Sequence, residues 1–329
     1  ARDMDQEQAD DDDEISQLKR VADEYTLLTT EERVVRMNND GSMLSWKKVG
    51  FGMQFPLKLR LDGDTQYRKM GHVLMDLMNT VQGTAFRPDV PSRRIDEGDR
   101  ALLNTYVPPA HGTARTDLGP LMALMQRVID NKEDREWVLN RWLAYKMQHP
   151  YSRGPAVLSL SGKDAKGDAL YGTGRGSFQK LLGKLFGPRY VSEINFDTLA
   201  GNNYQSQYND WLSGRLMVCV GEAKDTSAEH VTRRNARVSA YETIKQITEP
   251  GDTTMQINRK GKSNEQEQVY ATLFIASNHN LPFELPENDR RIYVTRSSPL
   301  IPDREQSRAN WEQIHAAMAD PVFIDTVWQ

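Results

Sequence analysis

Apolar positions recur at helical spacing through residues 119–148. Leu121, Met125, Val128 and Ile129 share one face, Trp137, Val138, Trp142 and Tyr145 continue a second, and Pro150 ends the run. The pattern predicts a helical pair. From residue 155 it changes to short apolar runs separated by helical periods. PAVLSLSG predicts a buried strand. GSFQKLLGKLFG predicts a helix with Phe178, Leu181, Leu182, Leu185 and Phe186 on one face, stopped at Gly187-Pro188. RLMVCVGE reads as a second buried strand, followed by a helical stretch from about 228 to 247 and a hairpin around Arg259-Lys260-Gly261-Lys262. The strands ATLFIASN and RIYVT complete the series. Strand and helix in alternation predict an α/β fold with a parallel sheet covered by helices, beginning near residue 150.

The first half is patterned less clearly. Residues 15–27 predict a short helix, and RVVRMNNDGSMLSW predicts a hairpin turning at Asn39-Asp40-Gly41. Residues 83–118 are rich in Pro, Gly and Arg and predict an extended connection with no core element. The expectation for the whole N-terminal region is mostly helical.

Charge changes the picture once the opening is set apart. The chain has 329 residues and a formal net charge of −4, yet its first fourteen residues hold eight of the 46 acids and one of the 42 bases. They predict an acidic disordered tail on a near-neutral to slightly basic body. Cys219 is the one cysteine, which excludes a disulfide framework and a cysteine-built zinc site. The six histidines have no ligand-like spacing, and no run of 18 apolar residues predicts a membrane span.

Chemistry concentrates after residue 160. Gly172-Thr173-Gly174-Arg175-Gly176-Ser177 lies between a strand and a helix, with glycines, a cation and a hydroxyl in the order of a Walker A phosphate loop. Arg175 stands where such a loop carries lysine, Gly176 intervenes before the hydroxyl, and about seven residues within KDAKGDALY look inserted after Gly162. Ser177 is the candidate magnesium ligand. Glu222, at the end of LMVCVGE, is placed to act as a Walker B carboxylate, although Gly221 stands where an aspartate is usual. Asn278 tips the next apolar strand, Arg290 and Arg291 follow, and Arg259, Lys260 and Lys262 form a basic hairpin tip suited to phosphates of single-stranded DNA. Each feature alone has a bland counterpart: a solvated glutamate, a turn asparagine, a charged loop. Their order carries the functional reading.

The phrases GTGRGSF…LLGKLFG, NYQSQYNDWLSGRLMVCVGEAKD, ITEPGDTTMQINRKG and SNHNLPFELPENDRR resemble the A, B, B′ and C motifs of superfamily 3 helicases, as found in phage and plasmid primase-helicases akin to poxvirus-type enzymes. The resemblance covers about 155–296 well and residues 1–80 loosely. It implies an AAA+-like P-loop ATPase that binds ATP and Mg2+ and forms a homo-hexameric ring on single-stranded DNA. Arg175 and Ser177 then take the lysine and hydroxyl positions, Glu222 the catalytic carboxylate, Asn278 the sensor, and Arg290 or Arg291 the arginine finger. The implied domains are an accessory region at 15–118, the helical pair at 119–150, an ATPase core at 151–300 and a helical extension at 301–329. A primase or polymerase partner or fusion and the host cytoplasm follow from the same likeness. The alternative is an ATPase-fold protein weakened by Arg175 and Gly221, acting as an oligomeric DNA-binding replication platform.

Overall fold

The computed structural model describes residues 16–55, 57–59, 68–163, 167, 170–201, 208–221, 230–251, 254–261, 263–278, 285–298 and 304–329. The acidic opening, Glu222 and Lys262 lie outside them. The chain divides into two compact units at Pro108/Pro109.

The first unit is mixed α/β, which corrects the mostly helical expectation. Helix α1 (16–22) leads into β1 (Tyr25–Leu28), β2 (Arg33–Met37), β3 (Met43–Lys47) and α2 (Lys48–Gln54). β4 (Lys58–Leu59) and β5 (Arg68–Lys69) pair with each other; α3 (Met70–Leu77) and β6 (Asn79–Val81) follow. A four-stranded sheet runs β3-β2-β1-β6, and its β2–β3 hairpin turns at Gly41, where φ is 79°, as its sequence predicts. Phe51, Val34, Val73 and Leu74 are sealed in its core, and Tyr25 meets Phe51 edge-on at 5.1 Å.

The connection expected at 83–118 also contains a sheet. β7 (Gly83–Ala85), β8 (Arg94–Glu97) and β9 (Arg100–Asn104) assemble in the order β7-β9-β8. Buried Asn104 holds the proline-containing turn between β7 and β8. Its Nδ2 reaches the carbonyls of Arg87 and Val90 at 2.9 Å each, and its Oδ1 accepts from Arg87 N and Tyr106 N, each at 3.1 Å. One side chain replaces the missing backbone ladder of that turn.

The second unit opens with α4 (Gly119–Val128) and a helix that runs from α5 (Lys132–Trp137) through a π-helical stretch, Val138–Leu143, to α6 (Ala144–Gln148). β10 (Ala156–Leu160), α7 (Arg175–Phe186), β12 (Met217–Gly221) and α9 (His230–Thr248) alternate as expected, with β11 (Val191–Asn195) and α8 (Phe196–Leu199), which the sequence pattern did not indicate, between α7 and β12. A hairpin of β13 (Thr254–Ile257) and β14 (Glu265–Gln268) precedes β15 (Thr272–Ser277) and β16 (Ile292–Arg296); α10 (Arg304–Ala319) and α11 (Pro321–Trp328) close the chain. The five strands order as β11-β12-β15-β10-β16, every pair parallel. Alternate residues bury each face. Leu158, Val220, Leu273 and Ile275 meet Ala240, Ile244 and Ile247 of α9. On the other face Phe274 packs edge-on against Phe178 of α7 at 4.9 Å. The parallel arrangement brings all five carboxyl ends to one edge, where ligands of open α/β sheets bind. Among the described residues, no helix is long and apolar enough to cross a membrane.

Candidate functional site

At that edge β10 gives way to a loop that leaves and returns. Leu170 N donates to Gly162 O at 3.0 Å, and Ser161 Oγ donates to Leu170 O at 2.5 Å, so the extra residues branch from one pinched point. Gly162 N donates to Ser297 Oγ at 2.8 Å; a Cβ on Gly162 would stand 2.5 Å from Ser297 O, so only glycine fits the pinch.

The chain then enters Gly172–Ser177. Gly174 adopts φ 90°, a left-handed conformation that turns the backbone into α7. The first bond within the helix runs from Phe178 N to Gly174 O at 2.9 Å, so the N–H groups of Arg175, Gly176 and Ser177 precede the helical ladder. With the helix dipole they make the head of α7 an anion-binding end. A cavity of about 210 Å³ lies against it, lined by Tyr171–Gly176, Gln179, and the strand ends Gly221, Ala276 and Asn278.

Arg175 is 8% exposed, and its guanidinium is turned beneath the loop. Nε donates to Thr173 Oγ1 at 3.1 Å and Nη1 to Ser159 O at 3.3 Å; the same group bonds Ser277 O and Asn278 Oδ1. The planar fork thus bridges the ends of β10 and β15, a task for which a lysine ammonium has the wrong shape. Its charge remains at the cavity wall. Ser177 Oγ stands 3.5 Å from His315 Nε2 of α10. Gly221 ends β12 in this cavity, and Glu222 is the next residue in the chain.

Arg290 and Arg291 lie at the opposite edge, before the first residue of β16. Arg291 O accepts from Ala156 N, the start of β10, at 2.8 Å, and Arg291 Nη2 reaches Glu249 Oε2 at 3.3 Å. Asp289 Oδ1 fixes the turn by accepting from the N–H groups of Arg291 and Ile292, both at 2.8 Å. Arg290 is exposed. A five-residue strand separates this edge from the Gly172–Ser177 loop by roughly 16 Å, so neither arginine joins the cavity of its own chain.

The hairpin is less basic than its tip implies. Arg259 pairs with Glu265 at 2.7 Å and with Glu267, and donates to Ser213 Oγ at 2.7 Å. Lys260 is exposed in the turn beside Gly261, where φ is 74°. Asn209 fastens the base, with Nδ2 on Gln256 O at 2.9 Å and Oδ1 accepting from Asn258 N at 2.6 Å. No cluster of three metal-binding side chains occurs among the described residues.

Sequence reading missed Arg127, Trp311 and His315. The Arg127 guanidinium lies 4.7 Å from the centre of Trp311, and a Cβ on Gly174 would stand 2.7 Å from Trp311 Cη2. Trp311 and His315 have the i, i+4 spacing of one helix face, the single local signal that they act together.

Residues 170–291 match a family of unknown function (DUF5906). The chain is 29% identical over 224 residues to the DNA primase-polymerase of Nitratiruptor phage NrS-1, covering 67% of this chain and 28% of that protein. The solved NrS-1 C-terminal region (305–718), in its apo form, aligns with a TM-score of 0.68 at 19% identity over 92% of this chain and 65% of that one. A second apo form of that region gives 0.64 at 20% identity, with the same coverage. The chain is therefore homologous to part of a phage primase-polymerase, in keeping with the resemblance to phage primase-helicases, and spans just over a quarter of that relative's length.

Proposed function

We propose that this homologue of a phage primase-polymerase region is an ATP-dependent DNA helicase of the AAA+-like, superfamily 3 type, working as a ring, commonly of six copies, on single-stranded DNA. The observation that carries the reading is the convergence of the Gly172–Ser177 loop, Asn278 and the end of β12 on one cavity at the carboxyl edge of a parallel sheet. Backbone N–H groups at the head of α7 grip the phosphates, with Arg175 as a fixed positive charge behind them. The Asn278 amide faces the terminal phosphate. Glu222 orients the attacking water and accepts its proton.

The described lining holds no carboxylate, so a magnesium ion here would be held by the nucleotide's own phosphates together with a hydroxyl and a carboxylate from beside the cavity. Ser177, released from His315, and Glu222 are this chain's candidate ligands. The ion neutralises charge on the transferred phosphoryl group when bound. Because Arg290 stands at the far edge, it serves a neighbouring copy's nucleotide, which makes assembly a condition of turnover. In this reading residues 151–300 form the motor, 119–150 and 301–329 flank it, and 15–118 is accessory. A primase or polymerase supplies the associated chemistry in the host cytoplasm.

The test is ATP hydrolysis by the purified chain with magnesium, with and without single-stranded DNA. DNA-stimulated turnover that Glu222→Gln removes while ATP still binds supports the motor; turnover no higher than that variant's overturns it. The inward Arg175 favours a second reading, a weakened ATPase that persists as a DNA-binding platform. Among the described residues Gly221 has room for a carboxylate, since a Cβ there would approach nothing closer than Ile194 O at 3.7 Å. Arg175→Lys with Gly221→Asp would then raise hydrolysis, and an already active parent rejects that reading.

A further inference from the structure

The head of α7 is crossed by a stack of planar groups that the catalytic reading leaves unused. Arg127 of α4 is 7% exposed, and its Nη2 is sealed from solvent with no hydrogen-bond partner among the described residues. Among the described residues no carboxylate pairs with it; its neighbour is the Trp311 ring at 4.7 Å. Burial lowers its pKa, as expected of a cation stripped of water. The Trp311 edge presses on the Gly174 backbone. His315, one turn further along α10, lies 5.7 Å from Trp311, centre to centre, with its plane tilted by 31°. It is exposed, and its Nε2 faces Ser177. Guanidinium, indole and imidazole thus run from the buried α4 outward and end on a free aromatic ring beside the third residue of α7.

The cavity beside this stack fixes which end of a nucleotide belongs there. Asn278, Gly221 and Arg175 close it at the strand ends and suit a terminal phosphate. The backbone N–H groups proceed from there toward Ser177, so phosphates laid along them leave their organic end at α10. We propose that the Trp311–His315 face of α10, backed by Arg127, is the nucleoside subsite, where a purine base extends the stack onto His315. This inference rests on the loop binding a nucleoside triphosphate. Cation–π contact holds Trp311 from behind, and base-on-ring stacking is tolerant of the base's edge pattern, so the subsite selects nucleotides over bare polyphosphate more sharply than one purine over another.

The experiment compares binding of a non-hydrolysable ATP analogue and of inorganic tripolyphosphate, both with magnesium, by calorimetry on the full chain. The parent should prefer the ATP analogue. His315→Ala should weaken the analogue about tenfold and leave tripolyphosphate unchanged, whereas His315→Phe, which keeps a ring and loses the Ser177 contact, should keep the preference. His315 is exposed, so these variants leave the packed core intact; circular dichroism melts of both check it. Equal losses for the two ligands, equal losses in the Ala and Phe variants, or a preference removed by Tyr171→Ala instead would each overturn the assignment. A parent that binds neither ligand overturns the nucleotide-binding reading itself. A parent that binds both equally overturns only the subsite.

Discussion

The Arg175 guanidinium donates to Asn278 Oδ1, tying the first residue of α7 to the tip of β15. Both residues line the cavity at the head of α7. Removing the cation leaves the amide and two strand-end carbonyls short of donors. A double-mutant cycle with Arg175→Met and Asn278→Leu should therefore give a coupling of about 1–2 kcal/mol in denaturant unfolding. Strictly additive losses would show that the bridge contributes nothing to either partner.

The hairpin separates binding from architecture. Lys260 is exposed, and its removal should weaken single-stranded DNA binding across all sequences and lower the salt slope by about one phosphate contact. Arg259 is held by two glutamates, so Arg259→Ala should release Glu265 and Glu267 and loosen the hairpin in hydrogen exchange. A Lys260→Ala protein with unchanged affinity and slope would place the DNA elsewhere.

Lys146 fastens the strand ends farthest from the cavity. Its Nζ donates to Pro150 O at 2.7 Å and to Ser152 O and Tyr270 O at 2.6 Å each, joining the approach to β10 to the approach to β15. Lys146→Met keeps the volume and strands one buried and two half-buried carbonyls, at a cost of about 3 kcal/mol. Urea denaturation measures it; a loss under about 1 kcal/mol would mean that water replaces the ammonium.

Cys219 provides a pH-dependent probe. Burial, aided by Glu193, raises its thiol from 9.0 to about 12. The neutral form is favoured on folding, so its contribution is complete below pH 9.0 and declines as pH climbs toward about 12. The native protein should not react with a thiol reagent at pH 8 until denaturant is added. Stability of Cys219→Ala should fall less steeply over the alkaline window. Rapid labelling of the folded chain would contradict this.

Much of the second unit was legible because its strands are apolar runs too short for helices and its helices carry one apolar face. PAVLSLSG and ATLFIASN could hardly be anything but buried parallel strands. β11 escaped notice because VSEIN is an edge strand with polar positions, indistinct from loop by pattern. The β7–β9 sheet was hidden by strands of only three to five residues and by a turn organised around Asn104, whose five side-chain hydrogen bonds reach four residues between Arg87 and Tyr106 in irregular text. At the candidate site the glycine loop, Asn278 and the end of β12 could be named from order alone. The inward turn of Arg175 could not, since residue type fixes its charge and leaves its direction to the strand-end carbonyls. The approach of His315 to Ser177 joins residues 138 positions apart, a distance over which periodicity carries no information.

The bond from Leu170 N to Gly162 O brings the two ends of residues 162–170 together just before the glycine loop. Closing a longer excursion costs only a slowly growing entropy, so that segment can be lengthened, shortened or exchanged. It is a natural socket for a fluorophore or an affinity handle, a few residues from the candidate site and entered through a single hydrogen-bonded gate.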